Sequence, residues 1–281
     1  MKIGLHSWSR QATFKEGAYD IWQFLDEAAN WGFHAVELMT GKAGTVQHIP
    51  ADDLETLRRI VDYARERDIV INCWSTYNDF SFVKNEAWRQ ANVRYIEDWC
   101  DKAAATGVPN LRFLTGYWVE GEDPKRLEQL VIEETRKVAR RAEDRGVNLA
   151  LENHNTIFLY ADGIRQLRDA VDSRRLTTCP DPSNGFKSIL SGTPDPDEIE
   201  AMYANLTQMA PHATNAHLKI IDEHASPFDL DRLIGIYADA GFAGTIQLEI
   251  VKEGTNHLDV VAPAVREQLE AAIARRQEVA A

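Results

Sequence analysis

Short apolar runs alternate with longer amphipathic stretches along the whole of this chain. Runs in which apolar and polar residues alternate read as strands, because successive strand side chains point to opposite faces. They fall at 2–8 (KIGLHSW), 34–38 (HAVEL), 69–74 (IVINCW), 110–115 (NLRFLT), 147–152 (VNLALE), 176–181 (LTTCPD), 215–220 (NAHLKI) and 244–250 (GTIQLEI). Between them, helical periodicity covers about 18–31, 51–67, 85–106, 124–145, 163–172, 195–210 and 228–239, and an eighth helix is expected at about 257–276. Eight strand-then-helix units in 281 residues predict an α/β chain whose parallel sheet closes into a (β/α)8 TIM barrel, a fold that typically takes about 250 residues.

The joints between helix and strand agree. Gly32, Gly107, Gly146 and Gly241 each follow a helical run and precede a strand, where a left-handed cap is expected. The segments NWGFHAVEL, ATGVPNLRF, DRGVNLALE and DAGFAGTIQLE repeat that joint four times. Pro50 and Pro124 stand near helix starts. No Ser/Gly linker, low-complexity tract or break in composition interrupts the pattern, so residues 1–281 read as one domain.

Composition narrows the class without choosing a function. The balance of 44 acidic against 31 basic residues gives a formal net charge of −13, which disfavours nucleic acid and anionic membranes as partners. The first ten residues, MKIGLHSWSR, lack the apolar stretch of a signal peptide, and no run is apolar for long enough to span a bilayer. Cys73, Cys100 and Cys179 are scattered and odd in number, which points to a reducing cytoplasm.

The chemistry gathers at strand ends in the second half of the chain. Glu152, Asp181, His217 and Glu249 close the fifth to eighth strand runs. In a (β/α)8 barrel, such ends form the catalytic mouth. Side-chain alternation sets Glu152 opposite Leu149 and Leu151, His217 opposite Ala216 and Leu218, and Glu249 opposite Leu248 and Ile250. With the apolar faces under the helices, Glu152, His217, Glu249 and likewise His6 point into the barrel. LTTCPD alternates less cleanly, and Asp181 before Pro182 also suits a turn. Three carboxylates and an imidazole suit one divalent metal ion, Mn²⁺, Mg²⁺, Co²⁺ or Zn²⁺. The alternative is a set of buried ion pairs, since an unpaired buried charge is costly.

At ALENHNT, CPDPSN, HLKI and QLEI the chain resembles the sugar phosphate isomerase/epimerase superfamily, the xylose-isomerase-like TIM barrels. That group includes ketose 3-epimerases, hydroxypyruvate isomerase, inosose dehydratase and endonuclease-IV-like enzymes. The resemblance covers the full length. It implies that Glu152, Asp181, His217 and Glu249 hold one metal, most often manganese, and that Glu152 and Glu249 also act as the acid/base pair. Two positions depart from the pattern. Asn184 stands where many members have a histidine, and Ile220 separates the His-x-Lys of the seventh strand from Asp222. Asn184 argues against a multi-metal endonuclease.

Other strand-end residues are candidates for holding substrate. These are His6, Trp8, Glu37, Trp74, Arg112, His154, Asn184 and Lys219, with the aromatic rings of Tyr77 and Trp118 beside them. Each has a plainer alternative: filling the barrel, walling the pocket, or neutralising its acids. His48, His212, His224 and His257 show no partner pattern and read as surface residues. The function expected is a metal-dependent sugar isomerase or epimerase that abstracts a proton beside a carbonyl through a metal-stabilised enediolate. A dehydratase or lyase acting on a keto-sugar or inosose starts the same way. An abasic-site endonuclease and a non-catalytic sugar-binding barrel are the remaining alternatives. The substrate would be a small, unphosphorylated sugar or polyol, and homo-oligomers are common among similar barrels.

Overall fold

The computed structural model describes residues 1–41, 48–154, 157–251 and 258–280. Eight parallel strands form the centre: β1 (Lys2–His6), β2 (Ala35–Met39), β3 (Val70–Ser75), β4 (Asn110–Phe113), β5 (Asn148–Glu152), β6 (Leu176–Cys179), β7 (Asn215–Ile220) and β8 (Thr245–Ile250). The helices are α1 (Gln11–Glu16), α2 (Ile21–Asn30), α3 (Leu54–Arg65), α4 (Glu86–Thr106), α5 (Pro124–Arg145), α6 (Ala161–Val171), α7 (Pro196–Met209), α8 (Leu230–Asp239) and α9 (Leu258–Ala280).

The strands pair in the order β6-β5-β4-β3-β2-β1-β8-β7, a nearly closed (β/α)8 TIM barrel. Between β6 and β7 the ladder shrinks to a bridge from Thr178 to Ala213, with two flanking bonds, Thr214 N–H to Thr178 O and His217 N–H to Pro180 O. Pro180 has no N–H to extend the ladder, and β6 stops at Cys179, before the expected Asp181.

The helix starts were largely legible because their caps are local. Asp20, Asp53, Asn85, Asp123, Asp195 and Asp229 each accept a backbone N–H from the first turn of α2, α3, α4, α5, α7 and α8. At the other end, Gly107 and Gly146 adopt φ of 71°, the left-handed turn that lets α4 and α5 drop into β4 and β5. Leu149, Leu151, Leu218, Leu248 and Ile246 are fully buried with the inner faces of α5, α6, α8 and α9 in one core. Their strand neighbours Glu152, His217 and Gln247 are buried as well, on the opposite face.

One excursion departs from the expected pattern. β1 ends at His6, because its Nδ1 accepts the Trp8 N–H and turns the chain into a 3-10 turn at Ser7–Arg10 that leads into α1. This excursion packs over His48, which is buried and not a surface residue as expected. Its Nδ1 lies 2.8 Å from Ser7 Oγ, its Nε2 lies 2.8 Å from Gln11 Oε1, and its ring stacks on Phe14. Burial pushes its pKa down to about 3. His212 and His224 are exposed, and His257 lies outside the described residues.

Candidate metal centre

Asp181, His217 and Glu249 converge with Glu152 at the C-terminal mouth of the barrel, and one ligand atom from each lies within 4.8 Å of all the others. His217 Nδ1 is the key atom. It is buried, has no hydrogen-bond partner among the described residues, and faces Glu152 Oε1 at 3.6 Å and Glu249 Oε2 at 3.9 Å. A divalent ion about 2.0–2.2 Å from neighbouring nitrogen and oxygen ligands holds them roughly 3.0–3.6 Å apart. The four side chains therefore need only a slight contraction to fit one ion.

The opposite edge of the imidazole is fixed from below. Glu37 on β2 is fully buried, and its Oε2 accepts from His217 Nε2 at 3.0 Å and from Asn215 Nδ2 at 2.5 Å. With Nε2 donating, Nδ1 presents its lone pair to the carboxylates, the usual way a carboxylate orients a histidine ligand. Burial alone would raise the Glu37 pKa, but His217 and His6 outweigh it and hold the carboxyl well below the usual range. For His217, burial acts downward, and Cys179, Glu37 and Glu152 more than reverse it.

Asp181 is set by its neighbours on both sides. Asn153 clamps its backbone, accepting the Asp181 N–H and donating to the Asp181 carbonyl. Ser183 donates its N–H and its hydroxyl to Oδ1, and Lys219 Nζ donates to Oδ2. Glu152 is similarly held: Arg112 grips Oε2 through Nε and a terminal nitrogen, and Asn184 Nδ2 donates to Oε1 at 3.1 Å. Burial would raise the Glu152 pKa, but Arg112, His154 and His217 bring it well below the usual carboxylate range. Glu249 faces no guanidinium among the described residues, and its Oε2 lies 3.6 Å from Lys219 Nζ.

The residues expected to hold substrate divide into two sets. Trp8 stacks on Tyr77 at 6.3 Å between ring centres, and Tyr77 meets His154 edge-on at 5.9 Å. His154 Nδ1 is buried and has no hydrogen-bond partner among the described residues. Arg112 lies over the Tyr77 ring while donating to the Thr76 carbonyl. Asn184 bridges Glu152 and Lys219. His6 and Glu37 sit deeper, with His6 Nε2 3.3 Å from both Ser75 Oγ and Glu37 Oε1. Glu37 is thus engaged by His217 and Asn215 rather than open to a sugar hydroxyl, a correction to its expected place. Trp74 is the second correction. It points outward into the helix layer, tilted against Trp99 of α4, with Nε1 donating to Thr106 Oγ1. Cys73 lies across from Glu37 in the β2/β3 register, so the next residue, Trp74, faces the helices.

Asn153, Ser183 and Asn215 were not singled out from the sequence. Asn153 adjoins Glu152, and Asn215 shares an inward face with His217, a signal that alternation could have supplied.

The model for xylose isomerase-like TIM barrels matches residues 25–275. The chain belongs to that family. Among solved structures with the same fold, D-psicose 3-epimerase from Clostridium cellulolyticum H10, solved with D-tagatose, is 16% identical with a TM-score of 0.69, covering 99% of both chains. L-ribulose 3-epimerase is also 16% identical, with a TM-score of 0.71 over 100% of this chain and 98% of that one. The probable 3-DHS dehydratase involved in petrobactin synthesis from Bacillus anthracis has the same identity and TM-score, covering 96% of this chain and 99% of that one. No curated protein matches this family member in sequence. Among its described residues, no helix is long and apolar enough to cross a membrane.

Proposed function

We propose that this chain is a divalent-metal-dependent sugar isomerase or epimerase that moves a proton on the carbon beside a carbonyl. The observation that carries this reading is the unpartnered, buried His217 Nδ1 facing the carboxylates of Glu152, Asp181 and Glu249. The ion held there, with manganese favoured by the oxygen-rich donor set, supplies Lewis-acid polarisation of the carbonyl. The chain's residues supply the proton transfer. Glu249 takes the proton, since it faces no guanidinium among the described residues. Glu152 faces it across the mouth, with Oε2 held by Arg112, and either Glu152 or a water returns a proton to the carbon. Trp8 and Tyr77 present aromatic surface to the C–H face of a sugar, and His154 Nδ1 offers a hydroxyl partner.

A neutral, unphosphorylated sugar or polyol fits best, because Arg112 and Lys219, the cations at the mouth among the described residues, are already paired with carboxylates. The same proposal takes residues 1–281 as one domain working in the cytoplasm, which three free, buried cysteines support. A dehydratase acting on a keto-sugar or inosose is the second reading, favoured by the fold shared with the probable dehydratase. Candidate ketoses and inososes incubated in D₂O with the manganese-loaded protein separate the two. Deuterium entering a carbon with no loss of water supports the isomerase or epimerase. An enone signal in the NMR spectrum would assign the dehydratase instead. If dialysis against manganese leaves no stoichiometric ion, both give way to a non-catalytic sugar-binding barrel.

A further inference from the structure

Lys219 shares the inward face of β7 with Asn215 and His217. Its Nζ donates to Asp181 Oδ2 and, at 2.9 Å, to Asn184 Oδ1, and it lies 3.6 Å from Glu249 Oε2 and 3.9 Å from Glu152 Oε1. One ammonium therefore touches or approaches all three carboxylates assigned to the ion. Glu152 Oε1 and Glu249 Oε2 are also the oxygens that face His217 Nδ1.

We infer that the Lys219 ammonium and the divalent ion compete for the same carboxylate oxygens, so that Lys219 is a built-in counter-ion which the metal displaces as it loads. This rests on the metal reading above. An ion held by those oxygens would share its ligands with an ammonium already within 3.9 Å of them, and two cations so placed would repel. Three carboxylates this close also repel one another, and Arg112 relieves only the outer oxygen of Glu152. The ammonium offsets one more of these charges, and its flexible four-carbon stem lets it withdraw without moving the strand.

The opposite role gives the opposite sign. If Lys219 only orients Asp181 for the ion, neutralising it weakens metal binding, as loss of a supporting hydrogen bond typically does by about 10–100-fold. If Lys219 competes, neutralising it strengthens binding. Mn²⁺ affinity should be measured on the full chain, as wild type, Lys219→Gln and Lys219→Arg, by the EPR signal of free Mn²⁺. Competition predicts binding at least about tenfold tighter in K219Q, and within about threefold of wild type in K219R, which keeps the charge. It also predicts that Mn²⁺ raises the thermal midpoint of K219Q more than that of wild type. Should K219Q need the ion to remain soluble, release of Mn²⁺ to a chelator replaces the titration, with slower release expected than from wild type. Equal or weaker affinity in K219Q, or equal or faster release, overturns the competition and leaves the metal reading standing. Absence of stoichiometric Mn²⁺ and Mg²⁺ binding in all three forms removes the metal reading and this inference together.

Discussion

Glu37→Gln tests whether the second layer of this site, and not only its ligands, sets metal affinity. The substitution preserves shape and removes one charge. Glu37 Oε2 accepts two bonds, from His217 Nε2 and Asn215 Nδ2. Hydrogen bonds to an ionised group contribute about 1.5–3 kcal/mol, roughly twice a neutral one, so turning both into neutral bonds costs about 2 kcal/mol of stability. The glutamine nitrogen, placed where Oε1 stands, would also meet His6 Nε2, which carries a proton because His6 Nδ1 accepts from Trp8. The grip on the His217 tautomer loosens, and Mn²⁺ affinity should fall by about 10–100-fold. Urea unfolding in chelator gives the stability term, and Mn²⁺ titration by EPR gives the affinity. If E37Q is destabilised as calculated but binds Mn²⁺ as tightly as wild type, then Glu37 is a structural partner and the tautomer argument is wrong.

Two further outcomes separate packing from function. Trp74→Phe removes the indole bond to Thr106 and part of a fully buried ring, so it should cost about 1–3 kcal/mol in urea unfolding and leave KM unchanged; a raised KM at unchanged stability would return Trp74 to the substrate pocket. Glu134 on α5 is buried between Arg89 of α4 and Lys137, and these cations overcome the effect of burial and lower its pKa. A depressed folded pKa gives stability that is present above the unfolded value of about 4.3 and lost as pH falls through the folded one. Glu134→Gln should therefore be less stable than wild type by about 1.5–3 kcal/mol at pH 7, with the gap closing below about pH 4. A gap that persists at low pH would place the effect in packing.

Much of this architecture is legible from local pattern. β7 and β8 alternate cleanly, so the inward placement of His217 and Glu249 follows from counting by twos. The caps Asp53, Asn85 and Asp123 and the turn glycines Gly107 and Gly146 mark helix ends from within a few residues. What escaped depends on contacts distant in sequence. In IVINCW, counting by twos puts Trp74 on the inward face with Asn72, but the β2/β3 register shifts between Val36 and Glu37 and skips Asn72, so Cys73 looks inward and Trp74 outward. His48 carries no local sign of burial, because the residues that cover it come from the turn after β1. Whether Arg112 holds substrate or neutralises an acid, and which acid, is decided only when β4 and β5 are paired and its guanidinium meets Glu152.

The open joint of the barrel gives the site a mechanical role. Seven of the eight strand junctions are paired ladders, and the eighth, between β6 and β7, hangs on a bridge and two flanking bonds. Asp181 follows the end of β6 and His217 stands on β7, so two proposed ligands of the ion flank this joint, and Lys219 already reaches across it to Asp181. Whatever cation these side chains share acts as a clasp on the ring. An ion bound between Asp181 and His217 would add a tie across the joint where the backbone supplies fewest, so loading the site would also brace the ring.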